Sequence, residues 1–368
     1  MFLQNLHILN FKSIEGADLD FTSGINCFVG DNGAGKTNLL DAIYYLAFCK
    51  SFLGIGDAQN IRHHQSFFVL QGNFQRMNDL EQIYCGFKRN QKKQFKRNKK
   101  DYERLAEHIG LLPLVMISPN DELLITEGAE ERRKYMDGVI SQYDRNYLYS
   151  LMRYNKLLVQ RNAYLKQWRE QGGGDEGLLE VLDAQLGVLG NAIHQHRQKF
   201  VETLVPVFNQ YYHLLSGEQE QVGMVYQSGL QQYDLTQGLL DCRQRDLQLG
   251  YTTRGIHKDE LNLLLNGYPI KRIGSQGQKK SFLIALKLAQ FQFLSRHNGF
   301  KPILLLDDIF DKLDLKRGAN LIALVADNAF HQIFITDTNR AHLEAVLSGT
   351  GKEYRVFNVN NGNVTVAE

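Results

Sequence analysis

The stretch Gly30-Asp31-Asn32-Gly33-Ala34-Gly35-Lys36-Thr37 decides the fold class of this 368-residue chain. It matches G-x-x-x-x-G-K-[ST] and sits between a short apolar run, Ile25 to Val29, and a segment of helical periodicity, Thr37 to Phe48. Strand, glycine-rich loop and helix in that order make a P-loop. Glycines let the loop turn so that several backbone N–H groups converge on phosphate oxygens, and the helix start adds the positive end of its dipole. Lys36 then reaches the β- and γ-phosphates, and the Thr37 hydroxyl ligates Mg²⁺.

Working outward, a P-loop needs a second carboxylate on the metal side. Ile303-Leu304-Leu305-Leu306-Asp307-Asp308 supplies it, as a strand buried on both faces that ends in two acids. Asp307 falls where it can hold the Mg²⁺ shell. Asp308, one step on, falls where a general base can align or deprotonate the attacking water. Gly274-Ser275-Gln276-Gly277-Gln278 opens the helical segment that precedes this strand. A serine and the N–H groups of a helix start make a second anion site. The segment resembles the signature motif of ABC ATPases, S-x-G-Q, which in that class grips the γ-phosphate held by a partner subunit. Ser275, Gly277 and Gln278 are thereby expected to act in trans. Asp311-Lys312-Leu313-Asp314 falls where such proteins carry the D-loop, with Asp314 at the dimer interface.

Hydrophobic residues make up 43% of the chain and charged ones 22%, enough apolar material for a sizeable core and too much for disorder. The formal net charge of +2 neither demands nor excludes nucleic acid, so any DNA surface must come from local clustering. Cys27, Cys49, Cys85 and Cys242 form no C-x-x-C pair, which speaks against a zinc or disulfide framework and for a reducing compartment. No signal layout opens the chain and no apolar run is long enough to span a bilayer, so a cytoplasmic protein without a membrane partner is expected.

Around these motifs the apolar pattern varies along the chain. Phe2, Leu6, Ile8, Phe11 and Ile14 read as an edge-type strand, and residues 67–95 as strand–turn–strand with Val69, Phe74, Ile83, Cys85 and Phe87 pointing inward. Tyr147, Leu151, Tyr154, Leu158, Leu165 and Trp168 recur in steps of three and four, with Arg161 filling one slot. Gly172, Gly173 and Gly174 interrupt the pattern, which resumes at Leu182, Leu186, Leu189, Ile193, His196 and Phe200. This reads as an antiparallel helical hairpin with arms of ~30–35 Å at 1.5 Å per residue. It is either a short coiled coil or an ordinary helical subdomain. The ATPase domain is therefore split: residues 1–127 and 246–368 form lobe I, and residues 128–245 a helical lobe II.

Further segments carry a more specific resemblance. Phe11-Lys12-Ser13-Ile14, the P-loop extended to Asn38, Ile61-Arg62-His63 and residues 155–162 are similar to those of the RecF family, and so are Gly255-Ile256-His257-Lys258-Asp259 and the signature-like segment. The matches run to Thr336-Asp337-Thr338. The resemblance implies an α/β ABC-ATPase head of the SMC-like kind with a short inserted helical lobe. It implies binding of ATP with Mg²⁺ by Gly30, Asp31, Asn32, Gly33, Ala34, Gly35, Lys36, Thr37 and Asn38, with Lys12 as a further contact. An ATP-dependent homodimer would bind double-stranded DNA and gapped or single-strand junctions as a weak, DNA-stimulated ATPase. With RecR and RecO it would help to load RecA. The chain departs from its relatives at Pro119-Asn120-Asp121, where many have Pro-Glu-Asp. That leaves open whether Asn120 or Asp121 fills the Q-loop role. It also has Leu53 where an arginine is frequent and Gly-Ile-His for Gly-Pro-His, and Thr336 or Asp337 takes the place of the ABC switch histidine.

Lys88, Arg89, Lys92, Lys93, Lys96, Arg97, Lys99 and Lys100 crowd one probable hairpin. Such a run is either a solvated face or a phosphate-binding surface. Lys92, Lys93, Lys96 and Lys99 are taken as the DNA-binding candidates. His63-His64 and His194-x-His196 bring no further ligand set and read as ordinary surface or helix histidines. The rivals are a transporter's nucleotide-binding subunit, a long-armed SMC ATPase and a plain P-loop kinase. The RecF-like segments, the short insertion and the S-x-G-Q motif weigh against each in turn.

Overall fold

The computed structural model describes residues 1–217, 220–309, 320, 321, 324, 330–340, 343, 347 and 353–367. The chain folds as two units. The first comprises Met1–Asp121, Tyr211–Glu218 and Ser275–Glu368, the second Glu122–Gln210 and Gln219–Gly274.

The first unit begins with β1 (Phe2–Phe11), β2 (Ile14–Asp20), β3 (Ile25–Val29) and α1 (Lys36–Phe48). There follow β4 (Phe67–Arg76), β5 (Asp79–Lys88), β6 (Gln94–Arg97), β7 (Lys100–Asp101) and β8 (Leu114–Ile117). The second unit holds α2 (Leu123–Thr126), α3 (Ala129–Ile140), α4 (Arg145–Gln171) and most of α5 (Glu176–Ser216). It continues with β9 (Val222–Gln227), α6 (Leu235–Leu249), β10 (Glu260–Leu265), β11 (Tyr268–Pro269) and α7 (Ile270–Ile273). The chain then returns to the first unit with α8 (Gln276–Asn298), β12 (Ile303–Leu306), β13 (Ile333–Asp337), β14 (Tyr354–Asn360) and β15 (Asn363–Val366).

Two six-stranded sheets organise the first unit, one in the order β2-β1-β4-β5-β6-β7 and one in the order β15-β14-β3-β13-β12-β8. The first is antiparallel throughout. In the second, β14, β3, β13, β12 and β8 run parallel, and all five residues of β3 and all four of β12 are buried. This is why both read as unbroken apolar runs. Helix α1 packs against β1 and β4 of one sheet and β8 and β13 of the other. Leu39, Leu40, Ala42, Ile43, Tyr45, Leu46 and Ala47 are all buried, as a helix enclosed on every side requires.

Two details differ from the sequence reading. β1 is not an edge strand: it lies between β2 and β4, and its polar residues reflect one solvated sheet face. Val69 points away from the core, because the alternation of β4 buries Phe68, Leu70 and Phe74 instead.

In the second unit, α4 runs 27 residues and α5 41 residues, or about 40 and 60 Å at 1.5 Å per residue, longer than the pattern implied. Helix α5 passes through Pro206 rather than stopping near Phe200. The arms are joined as expected: Gly172 caps α4 in the left-handed region, at φ 73°, and donates to the Trp168 carbonyl. Arg161 fills its slot by carrying its charge into the interior. Its Nε donates to Asp183 Oδ1 at 2.5 Å, and its Nη1 to Asp246 Oδ2 at 2.7 Å and Thr252 Oγ1 at 2.9 Å. The neighbouring Asn162 Oδ1 accepts from the Thr252 N–H at 2.8 Å, and Tyr154 Oη meets His257 Nδ1 at 3.1 Å. The RecF-like segments around Asn162 and His257 are thus stitched together inside this unit. A boundary at 245/246 does not fit the structure. Helix α6 continues through it to Leu249, and β10 pairs with β9, so the second unit extends to Gly274.

Candidate nucleotide-binding site

The parallel sheet sets the site. β3 lies between β13 and β14, with β12 beyond β13, so the segments after β3, β12 and β13 emerge side by side at the strands' carboxyl ends. The P-loop leaves β3 and turns through Gly33 at φ 82° and Gly35 at φ 112°, conformations that glycine adopts without strain. A Cβ on Gly35 would lie 2.8 Å from Ser13 Oγ, so the loop also needs the space. Lys36 folds back over the loop, its Nζ donating to the carbonyls of Gly30 at 2.7 Å and Asp31 at 2.9 Å. Asn38 Nδ2 donates to Ser13 Oγ at 2.8 Å, tying the β1–β2 turn to the first turn of α1.

Thr37 and Asp307, distant in sequence, meet here. Thr37 Oγ1 donates to Asp307 Oδ1 at 2.9 Å and lies 3.1 Å from Oδ2. Thr336 Oγ1 donates to the same Oδ1 at 2.9 Å and accepts from the Asp308 N–H at 2.9 Å. Burial pushes the Asp307 carboxyl above its ordinary range, while the Thr336 and Thr37 hydroxyls pull it back. An enclosed carboxylate beside a threonine hydroxyl is the oxygen donor set a small divalent cation takes, so these residues suit Mg²⁺. Asp308 adopts φ 49°, outside the strand region. Of Thr336 and Asp337, the two expected at the switch-histidine position, Thr336 bonds to the Asp307 carboxylate and the Asp308 N–H. Asp337 offers its main-chain carbonyl to the Gly30 N–H at 3.3 Å.

Ser275 is the N-cap of α8, and Gln278 completes a capping box: the Gln278 N–H donates to Ser275 Oγ, and the Ser275 N–H to Gln278 Oε1. Ser275 and Gln276 are exposed, and Gly277 and Gln278 half-buried. The helix thus begins on an exposed serine whose hydroxyl caps its first turn. Asp121 Oδ1 pairs with Lys287 Nζ of α8 at 2.6 Å, and its Oδ2 accepts from the Ser118 N–H, whereas Asn120 is exposed. Asp314 and the rest of Asp311-Lys312-Leu313-Asp314 lie outside the described residues.

Two sequence candidates have other occupations. Lys12 directs its ammonium to Asp41 Oδ2 at 2.5 Å in a buried pair. Lys93 is held by Asp57 at 2.9 Å, the Cys49 carbonyl at 2.7 Å and Tyr45 Oη at 3.1 Å, which makes it part of the core's edge rather than of a free cationic face. Lys96 is half-buried, 3.8 Å from Asp101. Lys88, Arg89, Lys92, Lys99 and Lys100 are exposed. All four cysteines are buried thiols, and no helix among the described residues is long and apolar enough to cross a membrane. The sequence placed Thr336 or Asp337 at the switch-histidine position but did not show that the Thr336 hydroxyl bridges the Asp307 carboxylate and the Asp308 N–H.

A P-loop beside paired acids at the ends of a parallel sheet, with a serine-capped helix in the same unit, defines an ABC-ATPase head of the SMC-like kind. Residues 2–365 match the family described as RecF/RecN/SMC N terminal domain. The DNA replication and repair protein RecF of Bacteroides fragilis is 51% identical over 369 residues, covering 100% of this chain and 99% of the relative. That of Flavobacterium johnsoniae is 47% identical over 359 residues, covering 98% and 100%. A solved structure of the recombination mediator protein RecF with ATP, in the RecFOR pathway, superposes with a TM-score of 0.90 at 30% identity, over 100% of this chain and 98% of the other. The Smc head domain of Pyrococcus furiosus shares the fold, with a TM-score of 0.58 at 15% identity. The chain belongs to the RecF family of DNA replication and repair proteins.

Proposed function

We propose that this chain is an ATP-dependent DNA-binding protein of recombinational repair and replication restart, whose hydrolysis of ATP is a release switch. The observation that carries the reading is the convergence of Thr37, Asp307, Thr336 and Asp308 beside a P-loop whose Lys36 ammonium lies across the loop. Lys36 and the loop N–H groups bind the β- and γ-phosphates. Thr37 and Asp307 would hold Mg²⁺, which supplies charge neutralisation between those phosphates. Asp308 orients and deprotonates the attacking water.

Two copies close head to tail, and Ser275, Gly277 and Gln278 of each bind the γ-phosphate held by the other. ATP then links assembly to nucleotide state by mass action. DNA lies on the exposed cations of the β5–β7 region, Lys88, Arg89, Lys92, Lys99 and Lys100, while Lys93 and Lys96 face Asp57 and Asp101. RecR and RecO as partners fit the RecFOR pathway in which RecF structures with ATP were solved, and loading of RecA at gaps is the outcome this reading assigns to the assembly.

The deciding experiment measures binding to gapped, duplex and single-stranded DNA with and without ATP. Tighter binding in ATP, strongest at gaps or junctions, is expected. Nucleotide-independent binding would overturn the switch, and no DNA binding in any state would overturn the DNA reading.

A further inference from the structure

We propose that Thr336 is a positioning residue that orders both acids of the hydrolytic site through a single hydroxyl. The inference rests on the ATPase reading above. A threonine hydroxyl has one proton to give and lone pairs to receive with. Here the proton goes to Asp307 Oδ1 at 2.9 Å, and a lone pair takes the Asp308 N–H, also at 2.9 Å. The Thr336 side chain is sealed from solvent, at 1% exposure, so water does not stand in for either bond.

Strand register puts the hydroxyl there. Leu306, the last residue of β12, pairs with Ile335 of β13, so Thr336 comes level with Asp307 as the chain leaves the ladder. Asp308 turns out of the strand at φ 49°, a conformation a non-glycine residue keeps only where its surroundings hold it. Its N–H, no longer in a sheet ladder, is held by Thr336 instead. Thr37 brings a second hydroxyl to the same carboxylate, 2.9 Å from Oδ1 and 3.1 Å from Oδ2. Removing the Thr336 hydroxyl therefore loosens the carboxylate orientation of Asp307 and the backbone turn that aims Asp308. The phosphate grip of Lys36 and the loop remains intact.

The test uses Thr336→Val, which keeps shape and loses the hydroxyl, and Thr336→Ser, which restores it, in the full chain. ATP turnover is measured against ATP and Mg²⁺ concentration, with binding of a non-hydrolysable analogue as a control. The valine variant is expected to lose about 10- to 100-fold in kcat and to need more Mg²⁺ for half-maximal turnover, as loss of a supporting hydrogen bond does elsewhere. Its KM for ATP and its analogue affinity should stay within about threefold, since a ground-state grip unchanged by the substitution leaves KM alone. The serine variant should recover wild-type behaviour. Wild-type kcat and Mg²⁺ dependence in the valine variant would overturn the proposal. So would a serine variant as impaired as valine, or an effect confined to KM. Thr336→Ala is read in the same way should valine fail to fold. A wild-type chain that binds and turns over no ATP overturns the ATPase reading itself, and the inference with it.

Discussion

The ammonium of Lys93 lies 2.7 Å from the carbonyl oxygen of Cys49, the residue that closes the helix begun by Lys36. A cation at that end meets the negative pole of α1 and satisfies a terminal carbonyl, and Asp57 supplies its counter-charge at 2.9 Å. Lys93 and its neighbours in the basic run therefore separate into two groups with different consequences. Lys93→Met should lower the unfolding free energy by about 2 kcal/mol, since it removes the cation that pairs with the half-buried Asp57 and binds the helix-terminal Cys49 carbonyl. It should leave the salt dependence of DNA binding unchanged. Replacing Lys88, Lys92, Lys99 and Lys100 with Gln should do the reverse, removing roughly 0.9 from the slope of log affinity against log salt per lost phosphate contact. Urea unfolding and salt titrations on all three proteins decide it. A Lys93→Met protein of normal stability, or an unchanged slope in the quadruple variant, would contradict the assignment.

His108 gives the first unit a pH dependence of known sign. Its Nε2 meets the Leu46 carbonyl at 2.7 Å and its Nδ1 the Tyr102 hydroxyl at 2.9 Å, which suits a neutral ring protonated at Nε2. Burial, the dominant cause, lowers its pKa from the ordinary 6.5 to about 4. Between those values the unfolded chain takes up a proton that the native chain refuses. Stability is thus full above the unfolded pKa, falls as pH drops toward the folded one, and falls no further below it. The contribution lost between pH 7 and pH 5 is about 2 kcal/mol. His108→Gln should show a flatter stability profile over that interval, measured by denaturant unfolding at each pH. Parallel profiles for the two proteins would remove His108 as the cause.

Ser275 tests the trans site. Its side chain caps α8 while remaining exposed. Ser275→Arg puts a bulky cation where the partner's γ-phosphate would dock, and it should block dimerisation in a non-hydrolysable analogue. ATP binding by the single chain should persist, because Lys36 and Thr37 lie in another segment. Sedimentation velocity with and without the analogue reads the outcome. A variant that dimerises like wild type rules out the signature reading.

How much of this was legible follows from where each interaction is encoded. The P-loop is local: eight consecutive residues contain the turn, the cation and the Thr37 hydroxyl, so spacing alone announced it. The Leu304-Leu305-Leu306-Asp307 run was legible for the same reason, since a strand covered on both faces must be apolar along its whole length. Arg161 was visible only as a break in a heptad-like pattern. Its partners Asp183 and Asp246 come from other helices, so nothing in the local sequence announced a buried charge network. Lys12 and Lys93 misled in the same way. A lysine's composition says cation, but only the fold shows that Asp41 and Asp57 occupy it. The break after Gly274 was missed because β9 and β10 pair across α6, a long-range contact with no signature in either strand.

Asp308 joins chemistry to release. Asp307 accepts from two threonine hydroxyls, and the proposed mechanism puts it on the metal side and leaves Asp308, at φ 49° with its N–H held by Thr336, for the water. Asp308→Asn preserves size and hydrogen-bonding capacity but removes the basic oxygen. Loss of a positioned general base costs about 10²–10⁴ in rate, so turnover should fall by that much. Assembly needs only the bound γ-phosphate, so ATP binding and dimerisation should survive. The variant should accumulate as an ATP-bound dimer and leave DNA more slowly than wild type. Asp307→Asn should behave differently, with weaker Mg²⁺-dependent ATP binding and fewer dimers, because it removes a carboxylate from the metal side. Turnover, dimer fraction and DNA dissociation in ATP, measured on both variants, separate the roles. Normal hydrolysis by Asp308→Asn removes it as the base. Slow hydrolysis with a dimer no longer-lived than wild type keeps the base and rejects hydrolysis as the release step.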